Sequence, residues 1–264
     1  MIDWHSHILP GVDDGPADIE QSVALAASLA AGGFTEVYCT PHLVRGCHEA
    51  GNDVVRRGVV TLQERLDGSG IPITLRCGRE YYLDEYLQAA LDDPLPLGDS
   101  RLLLVEIPPH ATADMVRRLL YDVVRAGFTP VIAHPERSPL LDPPAPPAGN
   151  GGIRGALGHL LGGGGHNGPT ERRRGIAAPA GGNRHGHARR SSDAAANPLL
   201  SYLRDLGCSF QGNLGSFSGF YGGRVKRTAE SMRAARLYDR YGTDVHTLEQ
   251  AKLVLPNQQK QTVG

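Results

Sequence analysis

Short apolar runs alternate with amphipathic segments along most of the chain, and a polar residue closes nearly every apolar run. The first run, residues 2–4, leads into His5 and His7, and residues 18–33 follow with the apolar spacing of a helix. Further strands are predicted at 36–40, 73–77, 101–105, 130–133, 208–213 and a run ending at 246. Further helices are predicted at 81–91, 112–128, 199–207 and 224–237. About seven such β/α units predict an α/β fold with a parallel sheet.

Metal-ligand side chains follow these predicted strands. In a barrel of this kind the carboxyl ends of the strands converge on one face, where active sites form. His5 and His7 are two residues apart, so both imidazoles leave an extended strand on the same side and can hold one divalent metal. The full set of candidate ligands is His5, His7, Asp14, His42, Glu80, Glu106, His134, Asp244 and His246. Burying these charges at one barrel mouth is costly unless metal ions offset them.

The ligand types indicate the metal and the chemistry. Imidazoles and carboxylates without a thiolate favour Mn, Zn or Fe, with Mg possible, over a cysteine-type structural zinc. The groups exceed what one ion uses, which predicts two or three ions with Glu80 as a candidate bridge. Such a cluster activates water and clamps the oxygens of a phosphoryl transfer. Asp13 competes with Asp14 as a ligand, but it suits a turn equally well.

Arg137 lies one turn beyond His134 and is the candidate for binding substrate. A guanidinium there can hold a phosphate dianion through two hydrogen bonds. A surface salt bridge with a neighbouring residue explains Arg137 equally well at this stage. His48 and His110 lie outside the pattern of strand ends and are interpreted as ordinary surface residues.

The overall charge restricts the partners. The 264 residues include 27 Lys and Arg against 28 Asp and Glu, which argues against nucleic acid or an anionic membrane surface as a partner. No apolar window approaches the length of a membrane span, and the N-terminus lacks the pattern of an export signal, so direct membrane insertion is not expected. Four scattered cysteines form no disulfide framework, which favours the reducing cytoplasm.

One segment, residues 142–197, differs in composition from the rest. It holds 14 Gly, 6 Pro and 7 Arg, has no aromatic residue, and shows neither a helical nor a strand period. Such a sequence cannot bury enough apolar surface to offset the entropy of ordering it, so we expect a disordered, low-complexity insertion within one domain spanning 1–264. Its histidines, which are His159, His166, His185 and His187, are not expected to bind metal, because an unstructured backbone does not fix them.

The sequence also contains a pattern that is typical of a different phosphatase mechanism. Cys39 to Arg45 satisfies C-x5-R, the pattern in which a thiolate attacks phosphate that is cradled by backbone N–H groups and an arginine. The match is weak, since Pro41 removes one of those N–H groups and His42 already belongs to the metal pattern.

These residues resemble a known family. The stretches that carry the resemblance are IDWHSHILPGVDDG, TPH, GREYYLD, VEIP, IAHPER, QGNLGSFSGFYG and TDVH. Together they are similar to the PHP (polymerase and histidinol phosphatase) superfamily, and within it to the manganese-dependent protein-tyrosine phosphatases of bacterial capsule and exopolysaccharide operons, the CpsB/YwqE group. In that family a short connection is expected between HPER and QGN, where this chain carries residues 142–197.

The resemblance implies a distorted (β/α)7 barrel of the PHP type with a trinuclear Mn2+ site. It implies that the nine candidate ligands hold these ions and that Arg137 binds the substrate phosphate. The implied substrate is the phosphotyrosine tail of a membrane-anchored bacterial tyrosine kinase that regulates polysaccharide synthesis.

Three other functions stay open at this point. A PHP-type histidinol-phosphate phosphatase, or another phosphatase of small phosphoesters, uses the same ligand types. So does an amidohydrolase, because the ligands alone do not select between phosphoester and amide substrates. A metal-binding pseudoenzyme that docks the kinase without turnover is the alternative that is not an enzyme.

Overall fold

Nine strands and eight helices alternate along residues 1–142 and 197–255, the part of the chain that this computed structural model describes. The strands are β1 (Ile2–Ser6), β2 (Glu36–Cys39), β3 (His42–Leu43), β4 (Thr74–Cys77), β5 (Glu80–Tyr82), β6 (Leu102–Glu106), β7 (Thr129–Ala133), β8 (Ser209–Asn213) and β9 (Arg240–Gly242). The helices are α1 (Ile19–Ala31), α2 (Asn52–Gly68), α3 (Leu87–Ala90), α4 (Ala113–Arg125), α5 (Pro198–Asp205), α6 (Leu214–Ser218), α7 (Gly222–Ala234) and α8 (Leu248–Val254).

All pairings between these strands are parallel, which confirms the predicted α/β class. One set of strands has the order β1-β2-β4, and the other has the order β3-β5-β6-β7-β8-β9. The two sets follow each other closely in the chain, because β3 begins three residues after β2 ends and β5 begins three residues after β4 ends. Together they form a curled parallel sheet.

The curl brings the first strand beside the last one. Just beyond β9, the Asp244 amide donates to the His5 carbonyl at 2.7 Å, and the His7 amide donates to the Val245 carbonyl at 3.1 Å. Gly242 permits this approach, since a Cβ there would lie 2.5 Å from the Cβ of His5. Residues near the two ends of the described chain therefore lie side by side. We call this contact between β1 and the residues of and just after β9 the β1–β9 seam.

The helices cover the sheet with apolar stripes. α4 begins at Thr112, whose side chain accepts from the Met115 amide, and it buries Val116, Leu119, Leu120 and Val123. α1 begins at Asp18, which caps the Gln21 amide, and ends at Gly32. Among the helices of residues 1–142 and 197–255, none combines the length and the hydrophobicity that a membrane span requires.

Several regions differ from the predicted elements. α6 and α8 belong to none of the predicted helices, and β9 ends at Gly242, although the last strand was predicted to run to residue 246. α2 is absent from the predicted units, although its buried residues Val55, Val59, Leu62 and Leu66 follow a helical spacing. The predicted helix over 81–91 is wrong in its first half, because residues 80–82 pair as β5 between β3 and β6. Tyr81 is buried there, and its hydroxyl accepts from the Leu95 amide at 2.6 Å, so aromatic packing outweighs the helical pattern.

The ends of the predicted insertion meet. Apart from Asp142 and Asn197, the segment 142–197 lies outside the described residues, so its predicted disorder stays a prediction. The Asn197 side chain donates to the carbonyls of Leu140 at 2.8 Å and Asp142 at 2.9 Å. It also accepts from the amides of Leu199 and Leu200 and so caps α5. The described fold therefore needs only a short connection at this place.

This geometry predicts the effect of removing the segment. Replacing residues 143–196 by a glycine-serine linker of about four residues shortens the loop more than tenfold. The entropic free-energy cost of closing the loop then falls by about 2 kcal/mol. We expect the free energy of unfolding in urea to stay the same or rise by up to that amount. A loss of stability would mean that residues 143–196 contribute to the fold.

The β1–β9 seam gives a second prediction. Asp3 is fully buried, and its carboxylate accepts from the Thr243 amide at 2.8 Å, the Thr243 hydroxyl at 2.6 Å and the His5 amide at 3.2 Å. Asp3→Ala leaves these donors buried without an acceptor, so we expect the free energy of unfolding to fall by about 3 kcal/mol. Asp3→Asn keeps one acceptor oxygen, and the Thr243 hydroxyl can turn to accept from the new amide, so we expect about 1 kcal/mol. Equal losses in the two variants would contradict this account.

Candidate metal centre

The structure brings all nine predicted ligands to one place at the carboxyl ends of the strands. Potential ligand atoms within 4.8 Å of one another form three overlapping groups. The groups are His7, Asp14, His42 and His246; His5, His7, Glu80 and Asp244; and His42, Glu80 and Glu106. His134 joins them through its Nε2, which lies 3.0 Å from Oε1 of Glu80. Asp14 lies at the solvent edge, whereas His5, His7 and Glu80 are fully buried.

Glu80 lies at the centre of the cluster. Its Oε2 is 3.1 Å from Nε2 of His5, 3.2 Å from Nε2 of His7 and 3.0 Å from Nδ1 of His42. Nevertheless, Oε2 of Glu80 and Nδ1 of His42 are buried atoms without a hydrogen bond of acceptable geometry. Lone-pair atoms that face each other at this distance without a hydrogen bond are typical of a metal site.

Burial and charge shift the pKa values of these groups in opposite directions. Burial alone would raise the pKa of Glu80, but the imidazoles of His5 and His42 hold it well below its usual range. Burial likewise opposes ionisation of Asp244, whose pKa Arg137 and His5 nevertheless hold well below the usual range. Burial and the neighbouring Glu80 raise the pKa of Glu106 to about 7. Neighbouring imidazoles and Arg137 therefore keep Glu80 and Asp244 ionised although both are buried.

His134 has the opposite character to the other buried imidazoles. Burial and the adjacent guanidinium of Arg137 lower its pKa to about 4, which keeps the ring neutral. Burial also opposes protonation of His5, but the carboxylates of Glu80 and Asp244 raise its pKa above the usual value. A neutral imidazole is the form that binds a metal.

A second layer of side chains, missed by the sequence analysis, orients the buried imidazoles. Nδ1 of His5 lies 2.9 Å from Oε1 of Gln211, and Nδ1 of His7 lies 2.7 Å from Oδ2 of Asp13. Both rings therefore point Nε2 into the cluster, as metal-binding histidines do when a partner holds the other nitrogen. Asp13 also accepts from the His42 amide at 2.9 Å, so it acts behind the ligands. The sequence could not distinguish this role of Asp13 from a turn-forming role, because its carboxylate also accepts from the Gly15 amide, as in a turn.

Backbone strain marks two of the ligands. His134 and Asp244 have φ values of 30° and 52°, in the left-handed region that residues with a Cβ seldom adopt. Each follows the end of a strand, β7 and β9 respectively, and the turn directs its side chain towards Glu80 or His5. Surrounding packing maintains these conformations.

Arg137 adjoins the cluster on a 3-10 turn, Pro135–Arg137, that follows β7. Its Nη2 donates to Oδ2 of Asp244, so it pairs with a predicted ligand rather than with a surface neighbour. The guanidinium lies over the ring of Tyr221, with its carbon 3.8 Å from the ring centre. The Nε is buried and has no hydrogen-bond partner. Donors thus remain on Arg137 after Asp244 is satisfied.

A cavity of about 160 Å3 opens between Glu106, His134 and Arg137. Because a water molecule occupies about 30 Å3, this volume has room for a phosphoryl group beside the cluster. A larger hollow of about 280 Å3 is lined by Leu43 and Tyr82, which come one and two residues after His42 and Glu80. Its lining contains none of the nine candidate ligands, whereas the smaller cavity is bordered by Glu106 and His134.

The residues of the rival thiolate mechanism lie elsewhere. Cys39 is fully buried in the apolar layer that contains Leu25 and Leu62, and burial raises the pKa of its thiol well above the usual value. Arg45 is exposed, and its guanidinium lies 4.4 Å from the ring centre of Tyr86. This environment does not favour a nucleophilic thiolate. His48, which the sequence pattern left outside the site, stacks beside His42 with ring centres 5.7 Å apart.

The donor set fits divalent ions. Imidazole nitrogens and carboxylate oxygens converge in a buried space, and the second nitrogen of His5 and of His7 is already held by the protein. His7, His42 and Glu80 each belong to two of the three ligand groups. Groups that overlap in this way match a site for more than one ion.

Comparison with known proteins is consistent with this site. Over 140 residues the chain is 34% identical to the tyrosine-protein phosphatase YwqE of Bacillus subtilis, and this match covers 52% of the chain and 55% of YwqE. Over 144 residues it is 33% identical to the tyrosine-protein phosphatase CpsB of Streptococcus pneumoniae, which covers 54% of this chain and 59% of CpsB. The matched region thus spans little more than half the length of these relatives.

The fold has a solved counterpart. Crystal structures of YwqE from Bacillus subtilis and CpsB from Streptococcus pneumoniae, described as metal-dependent tyrosine phosphatases, include a chain that matches with a TM-score of 0.69 and 24% identity. The match covers 98% of this chain and 87% of that one. The profile of the family described as "Capsular polysaccharide synthesis, CpsB/CapC" matches residues 1–142, which include seven of the nine candidate ligands. The chain therefore belongs to the CpsB/CapC family.

Proposed function

We propose that this chain is a metal-dependent phosphatase that hydrolyses phosphotyrosine in a protein substrate. The observation that carries the proposal is the convergence of nine imidazole and carboxylate groups in one cluster, with the buried Glu80 at its centre and Arg137 at its edge. Its relatives YwqE and CpsB are tyrosine-protein phosphatases, which supports the reaction class.

In this proposal the curled sheet closes as a distorted (β/α)7 barrel of the PHP type. β2 and β3 count as one strand, and so do β4 and β5. The hydrogen bonds between the residues after β9 and His5 and His7 support closure at the seam. The nine ligands would hold two or three ions at the barrel mouth, with Mn2+ as the proposed metal and Glu80 as the bridge.

The ions, when bound, would supply Lewis-acid activation of water and of the phosphoryl oxygens. The side chains supply the geometry. Arg137 offers its remaining N–H donors to the phosphoryl group in the cavity beside Glu106 and His134. During hydrolysis a water oxygen bonds to phosphorus, the bond from phosphorus to the phenolic oxygen breaks, and tyrosine leaves with a proton. Asp13 and Gln211 keep the rings of His7 and His5 in place while this happens.

The proposed substrate is the phosphotyrosine tail of a membrane-anchored bacterial tyrosine kinase that controls capsular or exopolysaccharide synthesis. Membership of a capsular polysaccharide synthesis family supports this context. The hollow lined by Leu43 and Tyr82, which follow His42 and Glu80 in the chain, is the proposed contact for the substrate peptide. All four cysteines are free thiols, which supports a reducing cytoplasmic location.

Metal removal tests the proposal. We expect chelator-treated protein to lose hydrolysis of p-nitrophenyl phosphate and Mn2+ to restore it, because the buried carboxylates need cations to form a working site. We expect the reloaded protein to prefer a phosphotyrosine peptide over a phosphoserine peptide and over histidinol phosphate. Cys39→Ser is the matched control and should retain activity, since that thiol is buried away from the cluster.

Other results would reject parts of the proposal. Activity that survives chelation but disappears in Cys39→Ser would favour the thiolate mechanism. A preference for histidinol phosphate would favour a small-molecule phosphatase, and hydrolysis of amides alone would favour an amidohydrolase. Protein that binds Mn2+ and the phosphopeptide without turnover would be a pseudoenzyme.

Substitution of Arg137 tests its proposed role. Arg137→Ala removes charge-assisted hydrogen bonds to phosphate, and we expect kcat/KM for p-nitrophenyl phosphate to fall about 100-fold. Arg137→Lys keeps the charge without the planar fork and should recover part of that loss. Arg117→Ala removes an exposed guanidinium that pairs with Asp114 on α4, and this control should leave the rate unchanged. Unaltered kinetics in Arg137→Ala, with metal content unchanged, would contradict phosphate binding by Arg137.

A further inference from the structure

Tyr221 is an aromatic residue that touches the proposed phosphate-binding arginine. It lies between α6 and α7, and the guanidinium carbon of Arg137 is 3.8 Å from the centre of its ring. The ring lies close to Gly215, since a Cβ there would lie only 3.1 Å from Cε2 of Tyr221. Phe220 packs at right angles to it, with ring centres 4.9 Å apart. Tyr221 therefore presents a fixed aromatic face to Arg137.

This face is suited to a cation. A guanidinium within about 6 Å of an aromatic ring centre is attracted by the negative face of the ring, most strongly where water is excluded. Burial raises the pKa of Tyr221 to about 12, so the ring stays an uncharged phenol. Tyr221 therefore affects the position of the guanidinium and does not change the net charge of the site.

Arg137 needs such support, because its other contact fixes only one nitrogen. Nη2 donates to Oδ2 of Asp244, while Nε is buried without a partner. Asp244 in turn directs Oδ1 towards His5 and His7, at 3.3 and 3.2 Å. An arginine side chain with one anchored nitrogen can still rotate its plane, and its donors then lose a defined direction.

We infer that Tyr221 is a positioning residue, whose ring fixes the guanidinium plane of Arg137 so that its free donors face the substrate phosphate. The inference rests on the proposed function, since it specifies how Arg137 is made ready for phosphate. It assigns the effect to the ring and not to the hydroxyl. The hydroxyl receives only a long contact of 3.5 Å from Nδ2 of Asn213, which donates to Asp244 at 3.0 Å.

The test measures inorganic phosphate as a competitive inhibitor of p-nitrophenyl phosphate hydrolysis, together with calorimetric binding of phosphate to the Mn2+-loaded protein. Tyr221→Phe keeps the ring, so we expect the inhibition constant to stay within about twofold. Tyr221→Leu replaces the ring by a smaller apolar side chain, so we expect phosphate to bind about five- to tenfold more weakly. The metal content should stay the same in both variants.

A matched control separates this effect from a general loss of aromatic packing. Tyr202 on α5 also has a guanidinium over its ring, that of Arg117 at 5.8 Å, and neither residue belongs to the metal cluster. Tyr202→Leu should leave phosphate affinity unchanged. If Tyr221→Leu lowers the melting temperature strongly, Tyr221→Met fills the space with a flexible side chain and should show the same loss of phosphate affinity.

A double-mutant cycle assigns the effect to Arg137. Introduced into Arg137→Ala, Tyr221→Leu should weaken phosphate binding no further, because the group that it positions is gone. A further weakening of the same size, or equal effects of Tyr221→Phe and Tyr221→Leu, would overturn the inference. Arg137→Ala with unchanged phosphate affinity would instead reject the proposed role of Arg137 itself, which distinguishes the two failures.

Discussion

The carboxylate of Glu80 is fully buried, and its oxygens lie 3.0–3.2 Å from four imidazole nitrogens on three separate segments of the chain. Those nitrogens belong to His5, His7, His42 and His134. A buried carboxylate without such neighbours would take up a proton, whereas here the pKa is held well below its usual range. The rest of the site is arranged around the need to surround this charge with groups that stabilise it.

Meeting that need depends on the curl of the sheet. His5 and Glu80 come from β1 and β5, while the partner that fixes the His5 ring, Gln211, comes from β8. The seam that Asp3 and Thr243 hold also places Asp244 next to His5. The same hydrogen bonds therefore stabilise the sheet and fix the distances between ligand groups. Both residues with strained backbone, His134 and Asp244, are buried, and Asp244 is also held by hydrogen bonds to the His5 carbonyl, Asn213 and Arg137.

The sequence predicts the parts of this arrangement that leave a pattern. Strand ends are visible as apolar runs that stop at His, Glu or Asp, and they mark most of the converging groups. Asp14 lies in the turn after β1, where Asp13 was an equal candidate. Gln211 could not be found in this way, because an amide side chain inside an apolar strand gives no periodic signal. Its role arises only in the folded sheet, where β8 brings Gln211 next to the ring of His5 on β1. The strand at Tyr81 was hidden because its local sequence favours a helix and its burial depends on distant neighbours.

Asp244 links the cluster to Arg137, because its two oxygens face different partners. Oδ1 points to the imidazoles of His5 and His7, and Oδ2 accepts from Arg137 and Asn213. A charge that draws Oδ1 towards the cluster also pulls on the carboxylate that anchors Arg137. An arginine held by Asp244 alone would follow each such shift. In the role inferred for Tyr221, its ring lies against Gly215 rather than on the carboxylate and would hold the guanidinium in one orientation when the charge of the cluster changes.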